Sequence, residues 1–435
     1  MTKKVFIDSI TYVISTFFVS LIWLVLTGLM AHHFTAYQFG LWSLVITINS
    51  LCLSLDLGFA NALRNKIASL FANDRNNDKE ELAYFFSTFY VFLSIVVVLS
   101  LLTLFSKNFI PWNILFNTSD QAIILEGSKL FIIAIIFSLF NVVFSLNMAG
   151  FFGYQESFWN SLFAFLSKLS ILVLTVCFIS IRISFFWTTV LLFAGILFSS
   201  IFAFNFFLHK RKWKILYIEY KELIYKLKEL WSKSIYFAFL QLFAVIYLWL
   251  DMFIVTKNFG LEVVGDYSLV KRGYLVFSTL YLAFLAPIWS AYTVAIEKND
   301  IAWAKKVLNK SCLIVFFIFI PLIFFICIFG AKIIYFWTGK HINNLSLYLL
   351  LGIWSLVYSW NNCFSIFLNA TGNLKLQIFL IGLAIVLFIP LSNYFGKYYG
   401  VAGICTALIL VSLPIAVSNP IQSYLFLNKK SLLKS

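Results

Sequence analysis

Charge is scarce in this chain. Only 11% of its 435 residues are Asp, Glu, Lys or Arg, where a soluble domain carries about a quarter. So few ionised groups cannot cover a folded surface in water, which excludes a soluble globular enzyme. Cysteine is sparse as well. The six residues Cys52, Cys177, Cys312, Cys327, Cys363 and Cys405 all fall inside apolar stretches, with no CxxC pair among them. They read as small buried hydrophobes, so neither a disulfide framework nor a metal site is expected. No GxxxxGK[ST] loop occurs, which excludes a nucleotide-driven pump on this chain. Long polar loops are missing too. The longest connection on the expected outer side, near 105–129, carries no paired acids placed for catalysis. A membrane-bound polysaccharide polymerase or lipid-dependent glycosyltransferase would need such a loop.

What remains is apolar: 62% of the residues are hydrophobic and 20% aromatic. Lipid must therefore be the solvent for most of the chain. The net charge of +15 does not point to nucleic acid, because the basic residues are dispersed between apolar runs instead of lining one soluble face. In a membrane protein such an excess sets topology against an anionic leaflet.

Runs of about 20 apolar residues predict twelve transmembrane helices. They lie near 10–31, 40–60, 83–104, 130–149, 160–180, 184–208, 234–256, 265–286, 311–329, 345–368, 376–393 and 401–426. The first run follows a basic start but is long and has no small-x-small cleavage site, so it reads as a retained helix. With the N-terminus in the cytoplasm, roughly 22 of the 32 basic residues lie inside, about 7 outside and about 3 within spans. The opposite orientation inverts that ratio. Both termini are accordingly expected in the cytoplasm and the protein in a bacterial inner membrane.

Self-similarity divides the series in two. Phe34, Gly40, Ser43 and Leu44 match Phe259, Gly265, Ser268 and Leu269 at a constant offset of 225. Leu146, Asn147, Gly150 and Gln155 match Leu368, Asn369, Gly372 and Gln377 at an offset of 222. The chain therefore reads as a duplicated six-helix unit: a first lobe at 1–208, a basic linker at 209–233 and a second lobe at 234–435. Six is even, so both copies enter the membrane the same way, related by an axis along its normal. The linker places Trp213, Leu216, Tyr220, Leu223, Leu227 and Leu230 at three- and four-residue intervals between lysines. That is the pattern of an amphipathic interfacial helix serving as a topological anchor.

Charges within the spans are the candidate functional groups, since each costs at least ~2.5–3.5 kcal/mol at mid-bilayer. Lys168 sits centrally in the fifth span, too deep to snorkel to an interface, and is expected to face a cavity and attract an anion. Lys271 and Arg272 lie in the eighth span, with Asp251 at comparable depth in the seventh. An ion pair of Asp251 with one of the two cations would leave the other for substrate. Asp56 lies inside the second span, ahead of Arg64 and Lys66. It could pair with Arg64 or titrate in a coupling step. Pro321 and Pro414 interrupt two spans and permit bends.

These features resemble a known family. The twelve helices, the parallel repeat, the Asp56-x-Gly58 stretch leading to Arg64, and the paired turns at Asn147 with Gly150 and Asn369 with Gly372 resemble the O-antigen flippases. Those belong to the multidrug/oligosaccharidyl-lipid/polysaccharide (MOP) superfamily. The resemblance implies an all-α fold of two six-helix lobes in a V, enclosing a cationic cavity to which Lys168, Lys271, Arg272 and Arg64 would contribute. An undecaprenyl-pyrophosphate-linked oligosaccharide would pass from the cytoplasmic to the periplasmic leaflet, with no cofactor beyond a proton or sodium gradient. A polysaccharide polymerase and a chain-length regulator are the implied protein partners, and membrane lipid the surroundings. One position departs from the repeat: Trp289 stands where the second lobe would match Arg64. A drug or cation exporter of the same superfamily is the alternative, but it would need acidic residues where these spans hold mainly basic ones.

Overall fold

Inside hydrocarbon a chain without sheet closure can satisfy its backbone N–H and C=O groups only by coiling into helices. The computed structural model describes residues 3–53, 58–73, 78–154, 156–214, 218–297 and 299–432, and among them there is no strand. The helices are α1 (Lys3–His33), α2 (Ala36–Leu53), α3 (Phe59–Asn73), α4 (Asp78–Ser106), α5 (Trp112–Phe116), α6 (Gln121–Phe144), α7 (Leu146–Gly153), α8 (Ser157–Ser180), α9 (Phe185–Arg211), α10 (Tyr220–Phe259), α11 (Leu261–Glu297), α12 (Ile301–Thr338), α13 (Leu345–Thr371) and α14 (Lys375–Leu432).

Nine of these stretches are long and apolar enough to cross a membrane, and one of them, 375–430, is 56 residues long and can cross twice. Gly400, at φ 61° and ψ −144°, divides it into two helices. With α2 and α13 this reproduces the twelve-span series and makes the chain an all-α, multi-pass membrane protein. Two expected boundaries shift. The second span is described to Leu53, with 54–57 outside the described residues, and after Gly58, at φ +71°, the chain runs in a separate helix α3. Second, the distal half of the basic linker is not a separate interfacial helix but the start of α10, continuous with the seventh span. Its Leu216 lies outside the described residues. Trp213 is buried against Phe85 and Phe207, with ring centroids at 5.4 and 5.5 Å.

Lipid as solvent orders the helices by polarity. The apolar window of 301–338 is 22% buried and carries Phe317, Phe324 and Phe336 outward, whereas the less apolar 261–286 is 50% buried. Hydroxyls within the spans fold back on the carbonyl four residues earlier, as Thr47 does on Ser43, Thr88 on Tyr84, Thr256 on Met252 and Ser423 on Asn419.

The chain divides into two compact units, one of Met1–Leu26 with Leu41–Val245 and the other of Thr27–Gly40 with Ile246–Ser435. Within the second, the segment 27–40 is held by glycines. A methyl on Gly28 would strike the Trp337 indole, and one on Gly40 would overlap the Leu261 carbonyl. A Cβ built on Gly265, the repeat partner of Gly40, stands 3.4 Å from the Gly40 Cα. The duplicated glycines thus permit backbone-to-backbone packing, the way small residues join helices in lipid. Gly40→Ala should accordingly lower stability by about 1–3 kcal/mol. Gly273→Ala, a helical site with nothing within 4 Å of the added methyl, should raise it by roughly 0.5–1 kcal/mol. Thermal unfolding in detergent reads both signs, and equal melting temperatures would contradict the close-packing account.

Candidate functional site

In the second unit, α10 carries Asp251 and α11 carries Lys271, 20 residues apart along the chain but side by side in space. The Lys271 ammonium lies 2.8 and 2.7 Å from the two Asp251 oxygens and donates a third bond to the Leu248 carbonyl at 2.6 Å. Tyr267, one turn earlier on α11, donates its hydroxyl to Asp251. The rings of Trp249 and Trp354 face the ammonium at 5.1 and 4.9 Å. Both charges are sealed from solvent, with Asp251 at 0% and Lys271 at 1% exposure. Beyond Trp354, Tyr247 and Ser412 share a hydroxyl hydrogen bond.

Consecutive helical residues point about 100° apart, so Arg272 turns away from this pair. Its guanidinium reaches Thr27 Oγ1 on α1 at 3.5 Å. Of the two adjacent cations, then, Lys271 is the one neutralised by Asp251.

The first unit holds a different kind of cation. Lys168 lies midway along α8, half-buried, with its ammonium 4.6 Å from the Trp23 ring centroid on α1. Trp23 in turn packs against Trp42 at 6.1 Å, and α1 is tied to α8 by the Ser15 hydroxyl on the Ser161 carbonyl. No carboxylate lies within ion-pair distance of Lys168 among the described residues. An indole face attracts an ammonium without supplying the negative charge that a carboxylate would, so the Lys168 amine is placed on an aromatic ring and not in an ion pair. Arg64 is exposed on α3 over the Phe152 ring at 4.6 Å. It is not brought together with Lys168. Asp56 lies outside the described residues.

The repeated asparagine–glycine motif takes two forms. Expected in a turn, Asn147 and Gly150 instead lie inside α7, where Gly150 leaves room for the Phe207 ring. In the second unit Gly372 closes α13 at φ +76°, with its N–H on the Asn369 and Leu368 carbonyls. One glycine serves by size and the other by conformation, so equal spacing hides unequal geometry. Gln155 lies outside the described residues.

Sequence reasoning missed a polar clamp on the first third of α10. Glu229 accepts from Lys66 on α3 at 2.9 Å and from the Tyr84 hydroxyl on α4 at 2.5 Å. Lys226 covers the Tyr84 ring at 4.2 Å. Partial burial works against the Lys66 charge, but the bonds to Glu229 and Tyr84 outweigh it and raise its pKa. Nearby, Glu156 pairs with Lys210 and Arg211 at 2.8 and 2.9 Å. The available signal was the few acids set among basic segments, since 17 acids beside 32 bases leave each acid a choice of partners.

Truncating one member of the buried pair strands the other charge, at a cost of about 3–5 kcal/mol. Asp251→Ala should therefore unfold at markedly lower temperature than wild type, and Asp251→Ala with Lys271→Met should recover most of that loss. Additive effects in the double variant would contradict a direct pair.

No family model matches the chain. Over 388 residues it is 23% identical to a protein of Salmonella typhi provisionally named O-antigen transporter, covering 86% of this chain and 85% of that one. Among solved structures, it is similar to the inward-facing conformation of a multidrug resistance MATE family transporter of the MOP superfamily. That match has a TM-score of 0.77 at 13% identity and covers 97% of this chain and 96% of the other. It is also similar to the lipid II flippase MurJ in an inward closed conformation, with a TM-score of 0.70 at 19% identity, covering 98% and 91%. The chain has the fold of the MOP superfamily transporters, the family likeness read from its helices and repeats.

Proposed function

We propose that this protein is a flippase for lipid-linked oligosaccharide. It moves undecaprenyl-pyrophosphate-linked repeat units of O-antigen, or of another surface polysaccharide, from the cytoplasmic to the periplasmic leaflet of a bacterial inner membrane by alternating access. Both termini are cytoplasmic in this reading. The observation that carries it is Lys168, a mid-span ammonium resting on an indole with no carboxylate in ion-pair distance among the described residues. Such a group favours an anionic cargo. A pyrophosphate and its sugars are costly to draw through hydrocarbon, and a cation held within the span offsets that cost while the lipid tail stays in the bilayer. The Salmonella typhi relative supports the choice of cargo by its name.

Lys168 is the group assigned to the pyrophosphate, with Arg64 and Arg272 as further cations whose part in substrate binding is to be tested one by one. Lys271 joins them only when Asp251 releases it, which makes Asp251 the candidate for coupling to a proton or sodium gradient, with Asp56 the second acid to test. No bond is made or broken in this reading, so the protein is a transporter and not an enzyme. A drug-cation exporter would need an acid offered to its cargo within the spans, and among the described residues Asp251 is held by Lys271.

Expression in a bacterium lacking its own O-antigen flippase, together with the matching sugar-synthesis genes, should restore the surface polysaccharide ladder on a blot. At equal protein level Lys168→Ala should reduce it tenfold or more, and Lys168→Arg should keep most of it. A ladder indifferent to Lys168→Ala would discard the site, and no ladder from well-folded wild type would discard the function.

A further inference from the structure

The second copy of the repeated motif ends α13 and opens α14, and it holds polar groups that the corner's own geometry leaves unused. Gly372 alone meets the backbone requirement there, with its positive φ. Gln377, on the first turns of α14, is 1% exposed, and neither its amide oxygen nor its amide nitrogen has a hydrogen-bond partner among the described residues. Exchanging the two atoms would not help, since both are orphaned. Asn369 Oδ1 is buried without a partner as well. From the far end of α14, Gln422 reaches the same corner by donating to the Asn373 carbonyl at 3.4 Å, and its own Oε1 is left over. One turn away Asn419, fully buried, donates to Ser365 at 3.1 Å and keeps an unpartnered Oδ1.

Buried amides without partners are unfavourable in any protein, and more so where lipid replaces water. Their chemistry narrows what would complete them. Spare oxygens ask for donors, which a cation could replace, but the orphaned Gln377 amide also offers N–H groups that a cation would repel. A group that donates and accepts at one atom fits both needs, and that group is a hydroxyl. No carboxylate or ammonium is a partner of these amides among the described residues, so the ligand need carry no charge.

We propose that the α13–α14 corner, through Asn369, Gln377 and Gln422, binds hydroxyls of a neutral sugar. Resting on the flippase reading, the corner takes the saccharide part of the cargo at the cytoplasmic end of the second unit, while the cations take the pyrophosphate. The two halves of the substrate are then read by different chemistry at different places.

The test uses the purified full chain in detergent on an array of neutral oligosaccharides. Wild type should bind at least one printed glycan. Gln377→Leu and Asn369→Leu should weaken that binding tenfold or more, and Phe336→Ala, at an outward-facing position of α12, should leave it unchanged. Replacing an orphaned amide by leucine should hold or raise the melting temperature, and a lower one would mean that the amides are satisfied structurally, against the proposal. Equal binding by the leucine variants, or no glycan bound by wild type, would show amides that hold structural water only and would overturn it. The ladder blot separates the two readings. A ladder restored undiminished by the leucine variants overturns the corner and leaves the flippase. Amide-dependent glycan binding by a wild type that restores no ladder overturns the flippase and leaves the corner.

Discussion

Hydrocarbon as the solvent is the constraint on which the rest of this structure depends. It forbids unpaired backbone polar groups, so every described stretch of any length is helical. It also reverses the usual sense of burial, since the phenylalanines of α12 can face outward while Ser355, Ser359 and Asn361 of α13 are buried. Helix association in such a solvent has no hydrophobic drive, which is why packing rests on small residues such as Gly28, Gly40 and Gly265.

The same solvent sets the rule for charges. Asp251 and Lys271 can sit at essentially zero exposure only because each is the other's counterion and the Tyr267 hydroxyl and the Leu248 carbonyl bond to them as well. Lys168 solves the problem differently, with an aromatic face in place of a carboxylate. The first arrangement is electrically closed and suits a structural or gated role. The second is electrically open and suits attraction of an anion. The two units thus hold these cations in opposite ways.

α10 connects these observations. Its first third is clamped in the first unit by Glu229, Lys66 and Tyr84, and its last third carries Asp251 in the second. What reads in the sequence as a linker followed by a span is one helix of 40 residues.

The sequence by itself determined the solvent and an all-helical fold of about a dozen spans. These follow from composition and from periodicity along the chain, which need no knowledge of neighbours. It narrowed the partner of Asp251 to two adjacent lysine and arginine residues. Only the rotation of α11 about its axis chose Lys271 and sent Arg272 to Thr27. The Lys168–Trp23 contact, the Glu229 clamp and the touching glycines were invisible for the same reason. They join positions 145, 163 and 225 residues apart, and nothing local records which faces of distant helices meet. The repeated motif marks the limit of reading by spacing: Gly150 and Gly372 match in sequence, yet one relieves a ring contact and the other turns the backbone. That difference arises from what each glycine packs against, and only tertiary structure supplies it.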